Sequence, residues 1–285
     1  MESFAFTSRD GTEVACYRWR AASALRGTLQ IAHGMGEHAL RYAPLAAHFT
    51  RQGFHVFAND HRGHGRTAKT PKELGDFGKD GWDGLVEDMV TLTQTAKQEA
   101  PGVPIVLLGH SMGSFALQQY LLDHSALIDA AAFSGSVAFD RLFVDLERRV
   151  DLTSINAAFE PARTPFDWLS RDPHEVDLYV ADPLCGFAAN QDSTRSMARS
   201  MRRTIDPQEL AKIRKDLPIY VMAGDADPVN GHLEFLKPLA ARYRTAGIRN
   251  VTEQYYPGGR HEMFNETNRD EVMKDFSGWV RRVLS

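Results

Sequence analysis

The sequence has very few cysteines, no long hydrophobic run and no strong excess of either charge. Cys16 and Cys185 are the only cysteines among 285 residues, too few for a multi-bridge framework, so a reducing compartment is favoured. The longest apolar runs, such as Ile105–Leu108, are far shorter than a membrane span. The segment Met1–Asp10 carries charges and has no apolar stretch of the kind that a signal peptide needs. These absences predict a soluble cytoplasmic protein, and the formal net charge of −4 indicates no nucleic-acid partner.

Apolar residues make up 43% of the chain, enough for a sizeable core. Short β-branched or apolar runs alternate with longer stretches of helical spacing, which is typical of βαβ units and a mostly parallel sheet. We therefore predict an α/β fold. The predicted strands are Val14–Trp19, Thr28–Ala32, Phe54–Asn59, Ile105–Leu108, Ala130–Ser134, Ile219–Ala223 and Val251–Tyr256. Two helices are predicted from the spacing of Trp82, Leu85, Val86, Met89 and Leu92, and of Val272, Phe276, Trp279, Val280 and Val283.

The alternation of strands and helices stops after Ser134. From there to about Asp216 the sequence has only helix signals and prolines, and Asp172 and Asp206 each precede a proline in the pattern of a helix N-cap. A helical insertion of this length is predicted to form a cap over the strand ends, where open α/β sheets bind ligands.

The boundaries that we predict are residues 137–216 for the cap and residues 1–136 and 217–285 for the core. The insertion has more apolar residues than a solvated loop would need. They either pack the insertion onto the sheet or, as a subset, line a substrate pocket that would hold an acyl chain; the candidates are Leu142, Phe143, Phe159, Phe166, Trp168, Leu178 and Phe187.

A G-x-S-x-G sequence follows the fourth predicted strand, with Ser111 at its centre. A helical pattern through Phe115, Leu117 and Leu121 comes directly after it. Strand, tight turn and helix form the context that a nucleophile elbow requires, and the helix N-terminus presents N–H groups to a developing oxyanion. Ser111 is therefore the predicted nucleophile.

A serine nucleophile needs a base, and the base needs a carboxylate that fixes its tautomer. His261 follows the last predicted strand in a glycine-rich loop, while Asp225 and Asp227 follow the strand before it. The order of nucleophile, acid and base agrees with this kind of fold, and all three types of residue come at strand ends. Spacing alone does not choose between the two aspartates. His232 is a weaker candidate base, because no strand precedes it to position it.

Two backbone N–H groups are predicted to bind the oxyanion. One belongs to Met112, directly after the serine. The other comes from the loop His33–His38, which resembles the HG-type oxyanion loop of esterases, with Met35 as the donor. The chemistry requires no cofactor and no metal.

Several segments together resemble the monoacylglycerol lipase and lysophospholipase branch of the α/β-hydrolases, the serine aminopeptidase S33-like family. In chain order these segments are HGMGEH (33–38), Arg41-Tyr42, DHRGHGRT (60–67), GHSMG (109–113), LSRDP (169–173), ADPLCG (181–186), GDADP (224–228) and GGRHEMFNE (259–266). The resemblance implies the α/β-hydrolase fold with a helical cap inserted after the sixth strand. It also implies a Ser111–Asp227–His261 triad, with Met35 and Met112 as oxyanion donors.

The activity implied is hydrolysis of monoacylglycerol- or lysophospholipid-like esters through an acyl-enzyme. The expected partner is a small-molecule or lipid ester, with at most peripheral membrane contact through the cap. A general short-chain carboxylesterase and a non-catalytic ligand-binding protein of the same fold remain alternatives. The stretch Arg195–Arg203 is interpreted as a solvated helix face paired with nearby acids rather than a face for anionic headgroups.

Other classes are disfavoured by particular residues. Gly34-x-Gly36 follows a strand and Asp60 ends the next one, but this dinucleotide-binding pattern does not explain the later motifs. His261-Glu262 begins an incomplete zinc motif, since Asn265 occupies its last position. His61 and His64 lie in a glycine turn without further ligands.

Overall fold

The computed structural model describes residues 1–142 and 151–285. Its centre is one eight-stranded sheet in the order β1-β2-β4-β3-β5-β6-β7-β8. The strands β1 and β2 are antiparallel to their neighbours, and all pairs from β4 to β8 are parallel. The strands are β1 Glu2–Thr7, β2 Glu13–Trp19, β3 Gly27–Ala32, β4 Phe54–Asn59, β5 Ile105–His110, β6 Ala130–Ser134, β7 Ile219–Gly224 and β8 Val251–Tyr256.

Helices cover both faces of the sheet. Residues of α1 and α9 pack on one face, and residues of α2, α3, α6 and α8 pack on the other. The helices are α1 Ala43–Arg51, α2 Gly81–Glu99, α3 Met112–His124, α4 Phe139–Leu142, α5 Pro173–Ala181, α6 Gln191–Met201, α7 Pro207–Leu210, α8 Lys237–Thr245 and α9 Arg269–Val283. Because both faces are covered, every residue of β3, β5, β6 and β7 is buried, as expected for inner strands of a parallel sheet.

All seven predicted strands are confirmed to within two residues, and α2, α3 and α9 confirm the predicted helical patterns. The sequence interpretation missed β1, which pairs with β2 at the sheet edge. Phe4 and Phe6 are half-buried in this strand, while four of its six residues are exposed. An exposed edge strand lacks the continuous apolar run by which the inner strands were recognised.

The segment between β6 and β7 contains helices and no strand in its described part, residues 135–142 and 151–218. The two predicted helix N-caps are confirmed, since the carboxylates of Asp172 and Asp206 accept hydrogen bonds from the N–H groups of His174 and Gln208. A small apolar cluster lies in this segment; its buried members are Leu152, Trp168, Leu169 and Tyr179.

The candidate acyl-pocket residues lie in different surroundings in the structure. Phe159 and Phe166 pack against the small cluster, whereas Leu178 is exposed. Phe143 and the side chain of Leu142 lie outside the described residues. Trp168 and Phe187 each line a cavity, as shown below.

At least two arginines of the basic stretch Arg195–Arg203 are paired with nearby acids, as the sequence interpretation expects. Arg195 lies 3.7 Å from Asp192, and Arg203 forms salt bridges with Asp123 and Glu209. Met197 and Met201 of α6 are buried. Across the described residues, no helix is long and apolar enough to cross a membrane.

Candidate active site

Ser111 lies at the sharp turn between β5 and α3. Its backbone has φ 48° and ψ −120°, and residues other than glycine rarely adopt a positive φ of this kind. The Ser111 N–H donates to the carbonyl of Ser134 on the adjacent strand β6 at 2.9 Å, and the Ser111 carbonyl accepts from Ser114 N–H at 2.8 Å. A strained serine held by both a strand and a helix is the arrangement of a nucleophile elbow.

The two glycines of the motif are required by close backbone approach. A Cβ atom on Gly113 would lie 2.2 Å from the carbonyl oxygen of Ala32, and one on Gly109 would lie 2.5 Å from that of Gly113. Both distances are impossible for real Cβ atoms. Glycine at these positions therefore lets the first turn of α3 pack directly on β3 and β5.

Asp227 and His261 come together beside this turn. Nδ1 of His261 lies 2.9 Å from Oδ2 of Asp227, and both residues are buried. The carboxylate also accepts hydrogen bonds from Val229 N–H at 2.9 Å and from the amide of Asn230 at 3.2 Å. These donors orient the Asp227 carboxylate, which in turn fixes the ring of His261 with its Nδ1 protonated.

The electrostatic surroundings of His261 favour its charged form. Burial by itself would lower the pKa of His261, but the Asp227 carboxylate outweighs this effect and the pKa is raised, with smaller contributions from Glu262 and Glu37. By contrast, burial and the neighbouring His261 hold the pKa of His110 well below its usual value. His261 is therefore the ring in this pair that is suited to receive a proton.

The other ring nitrogen of His261, Nε2, is buried and has no hydrogen-bond partner among the described residues. Ser111 and His261 line the same cavity of about 20 Å³, together with Gly34, Met35, Glu37, His110, Leu152, Trp168, Leu169, Tyr179 and Glu262. The histidine and the serine thus line one small cavity, and a general base must lie close to the proton that it takes.

Of the two predicted oxyanion donors, one lines this space and the other directly follows Ser111. Met35 lines the cavity, and Met112 is the first residue of α3. Within the described residues, neither N–H is hydrogen-bonded to a protein acceptor. Both groups are therefore available to an oxygen atom placed above Ser111.

An ion network that the sequence interpretation did not find borders the cavity. Arg41 holds Glu262 through both terminal nitrogens, Nη2 to Oε2 at 2.7 Å, and its Nη1 also donates to Oε2 of Glu37 at 2.8 Å. Glu37 accepts from the Gly34 N–H and from the Tyr42 hydroxyl. The network connects the histidine loop to the oxyanion loop, across 221 positions of sequence. Its only sequence signal is that all these residues lie in or beside the motifs of the resemblance.

The insertion is hydrogen-bonded to the histidine loop. The Glu262 N–H donates to the Leu169 carbonyl at 2.8 Å, and the Trp168 ring lies 5.0 Å from the ring of His261. Arg260 donates to the Ser170 carbonyl at 3.2 Å. Trp168, which was a predicted pocket residue, and Leu169, which begins the LSRDP motif, therefore form one wall of the site.

The rival acid and base lie elsewhere. Oδ1 of Asp225 accepts from Gly258 N–H at 2.7 Å, so this carboxylate connects two loops. His232 is exposed and contacts the Asp225 carbonyl through its Nδ1. Of the two aspartates, only Asp227 contacts His261 in the described residues.

Asp60, the acid of the dinucleotide-binding alternative, makes its hydrogen bonds within the protein. The Asp60 carboxylate is buried and accepts hydrogen bonds from the Tyr17 hydroxyl and from the N–H groups of Ala39 and Arg66, which leaves little capacity for a ribose. His61 and His64 are also buried, and burial lowers the pKa of His64 to about 3.

Among the described residues, three possible metal ligands meet only at His38, Asp182 and Cys185, within 4.8 Å of one another. There His38 Nε2 already lies 2.9 Å from Asp182 Oδ2, and burial raises the pKa of the Cys185 thiol. We interpret this group as a contact between the insertion and the oxyanion loop.

An eight-stranded, mostly parallel sheet flanked by helices, with a serine at the turn after β5, is the α/β-hydrolase fold, and the chain is a hydrolase of this type. Residues 23–268 match the profile of the family described as "Serine aminopeptidase, S33", and the chain belongs to this family. The family predicted from the sequence motifs is thereby confirmed.

Several known proteins are similar over the whole chain or part of it. A monoacylglycerol lipase of Mycolicibacterium smegmatis is 29% identical over 96% of this chain and 95% of its own. A lysophospholipase L2 of Escherichia coli is 31% identical over 45% of this chain and 38% of its own. The solved structure of a carboxyl esterase from Bacillus coagulans, in complex with glycerol, has a TM-score of 0.89 and 29% identity, and covers 100% of this chain and 99% of its own.

Proposed function

We propose that the protein hydrolyses monoacylglycerol-like carboxylic esters through an acyl-enzyme on Ser111. The observation that carries this proposal is the buried Asp227–His261 pair, whose unpartnered Nε2 shares a cavity with the strained Ser111. The whole-length similarity to a monoacylglycerol lipase supports the substrate class.

The proposed reaction has two steps. The Oγ atom of Ser111 attacks the ester carbonyl while Nε2 of His261 takes the hydroxyl proton, and the N–H groups of Met35 and Met112 hold the oxyanion. The imidazolium then protonates the departing alcohol. Water, deprotonated by the same nitrogen, releases the carboxylic acid and restores Ser111. Asp227 keeps Nδ1 protonated throughout.

A second cavity supports an acyl-binding role for the insertion. Its volume of about 490 Å³ is within the usual range of ligand sites. Leu152 lines both this cavity and the one above Ser111. The remaining lining residues are Pro71, Leu74, Asp151, Thr153, Gly186, Phe187 and Ala188. We propose that the acyl chain of the substrate extends past Leu152 into this space.

We also propose a domain division, a mode of membrane contact and a cellular location. Residues 137–216 act as a cap on a core formed by residues 1–136 and 217–285. Membrane contact is peripheral and made by this cap, where Leu178 and Val180 are exposed on α5. The two free cysteines support a cytoplasmic location.

A short-chain carboxylesterase is the second candidate function. It is favoured by the similarity to the Bacillus coagulans carboxyl esterase, which has the same overall fold at 29% identity. The two candidates differ in how the rate should depend on acyl length, because each methylene group buried in an apolar pocket contributes about 0.8 kcal/mol.

A panel of p-nitrophenyl esters and monoacylglycerols of graded acyl length tests the proposal. We expect kcat/KM to rise by up to a few-fold per methylene from the acetyl ester until the cavity is full. Ala188→Trp, which fills the second cavity, should remove this rise and keep acetyl-ester hydrolysis. Ala181→Trp, at an exposed position on α5, is the matched control and should leave the rise intact. A preference for acetyl esters in the unmodified protein would instead support the carboxylesterase.

A further inference from the structure

The cavity above Ser111 has an acidic wall. Glu37 and Glu262 both line it, and both are buried. No lysine or arginine is among the described residues that line this space. Burial raises the pKa of Glu37, so the negative charge of this wall lies on Glu262. A substrate group that enters the cavity therefore meets two acidic side chains and no free cation.

Arg41 carries the positive charge nearest to this wall, but its charge is directed at the carboxylates. Both terminal nitrogens of its guanidinium bind Glu262, and one of them also binds Glu37. The Cζ atom of the guanidinium lies over the Tyr179 ring, 4.8 Å from its centre, and Tyr179 itself lines the cavity. The strongest anion-binding side chain near the site is thus enclosed by protein groups.

Glu262 has the larger part in this enclosure, because it binds Arg41 in the two-pronged geometry that fits a guanidinium best. Its own position is fixed by the hydrogen bond from its N–H to the Leu169 carbonyl, at 2.8 Å, and by the Asn265 amide, at 3.0 Å from Oε2. Burial alone would raise the pKa of Glu262, but Arg41 outweighs it and lowers the pKa to about 2. Glu262 is therefore ionised throughout the neutral range.

We propose that Glu262 is a specificity-determining residue, which makes the site accept esters of uncharged polyols and reject esters whose alcohol carries a phosphate. The inference rests on the proposed function and separates the two substrate classes that the motifs left open. Carboxylate oxygens accept hydrogen bonds from the hydroxyls of a polyol. The same oxygens repel a phosphate, which would need the guanidinium that Glu262 occupies.

The decisive measurement compares monolauroylglycerol with lauroyl lysophosphatidic acid, which differs from it by one phosphate. Both are assayed below their critical micelle concentrations, at a pH where the rate no longer changes. In the unmodified protein kcat/KM should be at least about a hundredfold higher for the neutral ester. Glu262→Gln keeps the size of the side chain and removes its charge. It releases Nη2 of Arg41, while Nη1 stays bound to Glu37. It should raise the ratio of phosphate ester to neutral ester at least about tenfold.

A matched control is available in the same loop. Glu266 is fully buried and is paired with Arg171 at 2.9 Å, but it does not line the cavity. Glu266→Gln should leave the ratio of the two esters unchanged. The double variant Arg41→Met/Glu262→Gln should lose the gain, because the gain depends on the released guanidinium.

Inhibition by glycerol phosphate, with p-nitrophenyl acetate as substrate, gives a readout that does not depend on glyceride hydrolysis. Glycerol phosphate should inhibit Glu262→Gln and not the unmodified protein. If the unmodified protein cleaves nitrophenyl esters but no monoacylglycerol, the proposed function is wrong while this arm still tests Glu262. Equal rates on both lauroyl esters in the unmodified protein would overturn the inference. So would a Glu262→Gln variant, folded by circular dichroism, with an unchanged ester ratio and no inhibition by glycerol phosphate.

Discussion

Nδ1 of His261 donates to Oδ2 of Asp227 over 2.9 Å, in surroundings where neither side chain meets solvent. A buried imidazole can pair with a buried carboxylate in this way only with its proton on Nδ1, so the other nitrogen remains an acceptor. The base of the proposed reaction is thus prepared by its partner before any substrate arrives.

The choice between the two aspartates has a direct test. Asp227→Asn should lower kcat for ester hydrolysis by about 10⁴, because the amide favours the wrong histidine tautomer. Asp225→Asn is the matched control, since Asp225 binds the Gly258 N–H and makes no contact with His261 in the described residues. Greater damage from the Asp225 change would assign the acid to that residue.

Replacement of the proposed nucleophile should nearly abolish turnover. Ser111→Ala is expected to lower kcat by roughly 10⁴–10⁶, because the members of a triad act as a unit. A fluorophosphonate probe should label the unmodified protein and leave the variant unlabelled, as seen by intact-protein mass spectrometry. Labelling that survived the substitution would place the nucleophile elsewhere.

The strained backbone of Ser111 predicts that glycine at this position makes the protein more stable than alanine does. At φ 48° and ψ −120°, conformational strain destabilises the folded state by about 1–3 kcal/mol for a residue with a Cβ atom, and glycine lacks this strain. Glycine loses about 0.5–1 kcal/mol through its greater freedom in the unfolded chain. Ser111→Gly should therefore unfold with a free energy about 1 kcal/mol higher than Ser111→Ala, measured by urea denaturation. Both variants lack the hydroxyl, so equal stabilities would mean that the turn is not strained.

The pH dependence of the rate follows from the surroundings of His261. Burial alone would lower the pKa of its imidazole, but Asp227, Glu262 and Glu37 together outweigh burial and raise it. The base must be neutral to act, so kcat/KM should fall as the pH drops through a midpoint above about 6.5. In Asp227→Asn, the residual activity should have its midpoint at lower pH, because the main charge that raises the pKa is gone. Rates on a p-nitrophenyl ester at constant ionic strength give both midpoints, and a midpoint that does not move would contradict this electrostatic account.

Most of the sheet could be predicted because the inner strands are buried on both faces and read as short apolar runs. The relation between Ser111, Asp227 and His261 followed from the same property, since each comes after a strand and parallel strands end at one edge. What spacing left open, the choice between Asp225 and Asp227, depends on which side chain turns inward at the end of β7. Such a choice is decided by packing and by donors such as Asn230.

The missed features depend on contacts between distant parts of the chain. β1 is an edge strand with a weak apolar pattern, and only its pairing with β2 makes it part of the sheet. The Arg41–Glu262 pair joins two loops that no periodicity relates. Trp168 reaches His261 from an insertion whose helices can be read from the sequence, although their placement on the core cannot.

The insertion leaves the sheet at the carboxyl end of β6 and returns at the start of β7, and these two strands are direct neighbours. Any connection between parallel neighbours must cross from one end of the sheet to the other, so a long connection is needed here in any case, and its closure costs conformational entropy. Extending that connection costs only about 0.6 kcal/mol for each doubling of its length. This junction is therefore a position where evolution can lengthen, shorten or exchange the substrate-facing segment, while the strands that carry the serine, the aspartate and the histidine keep their register.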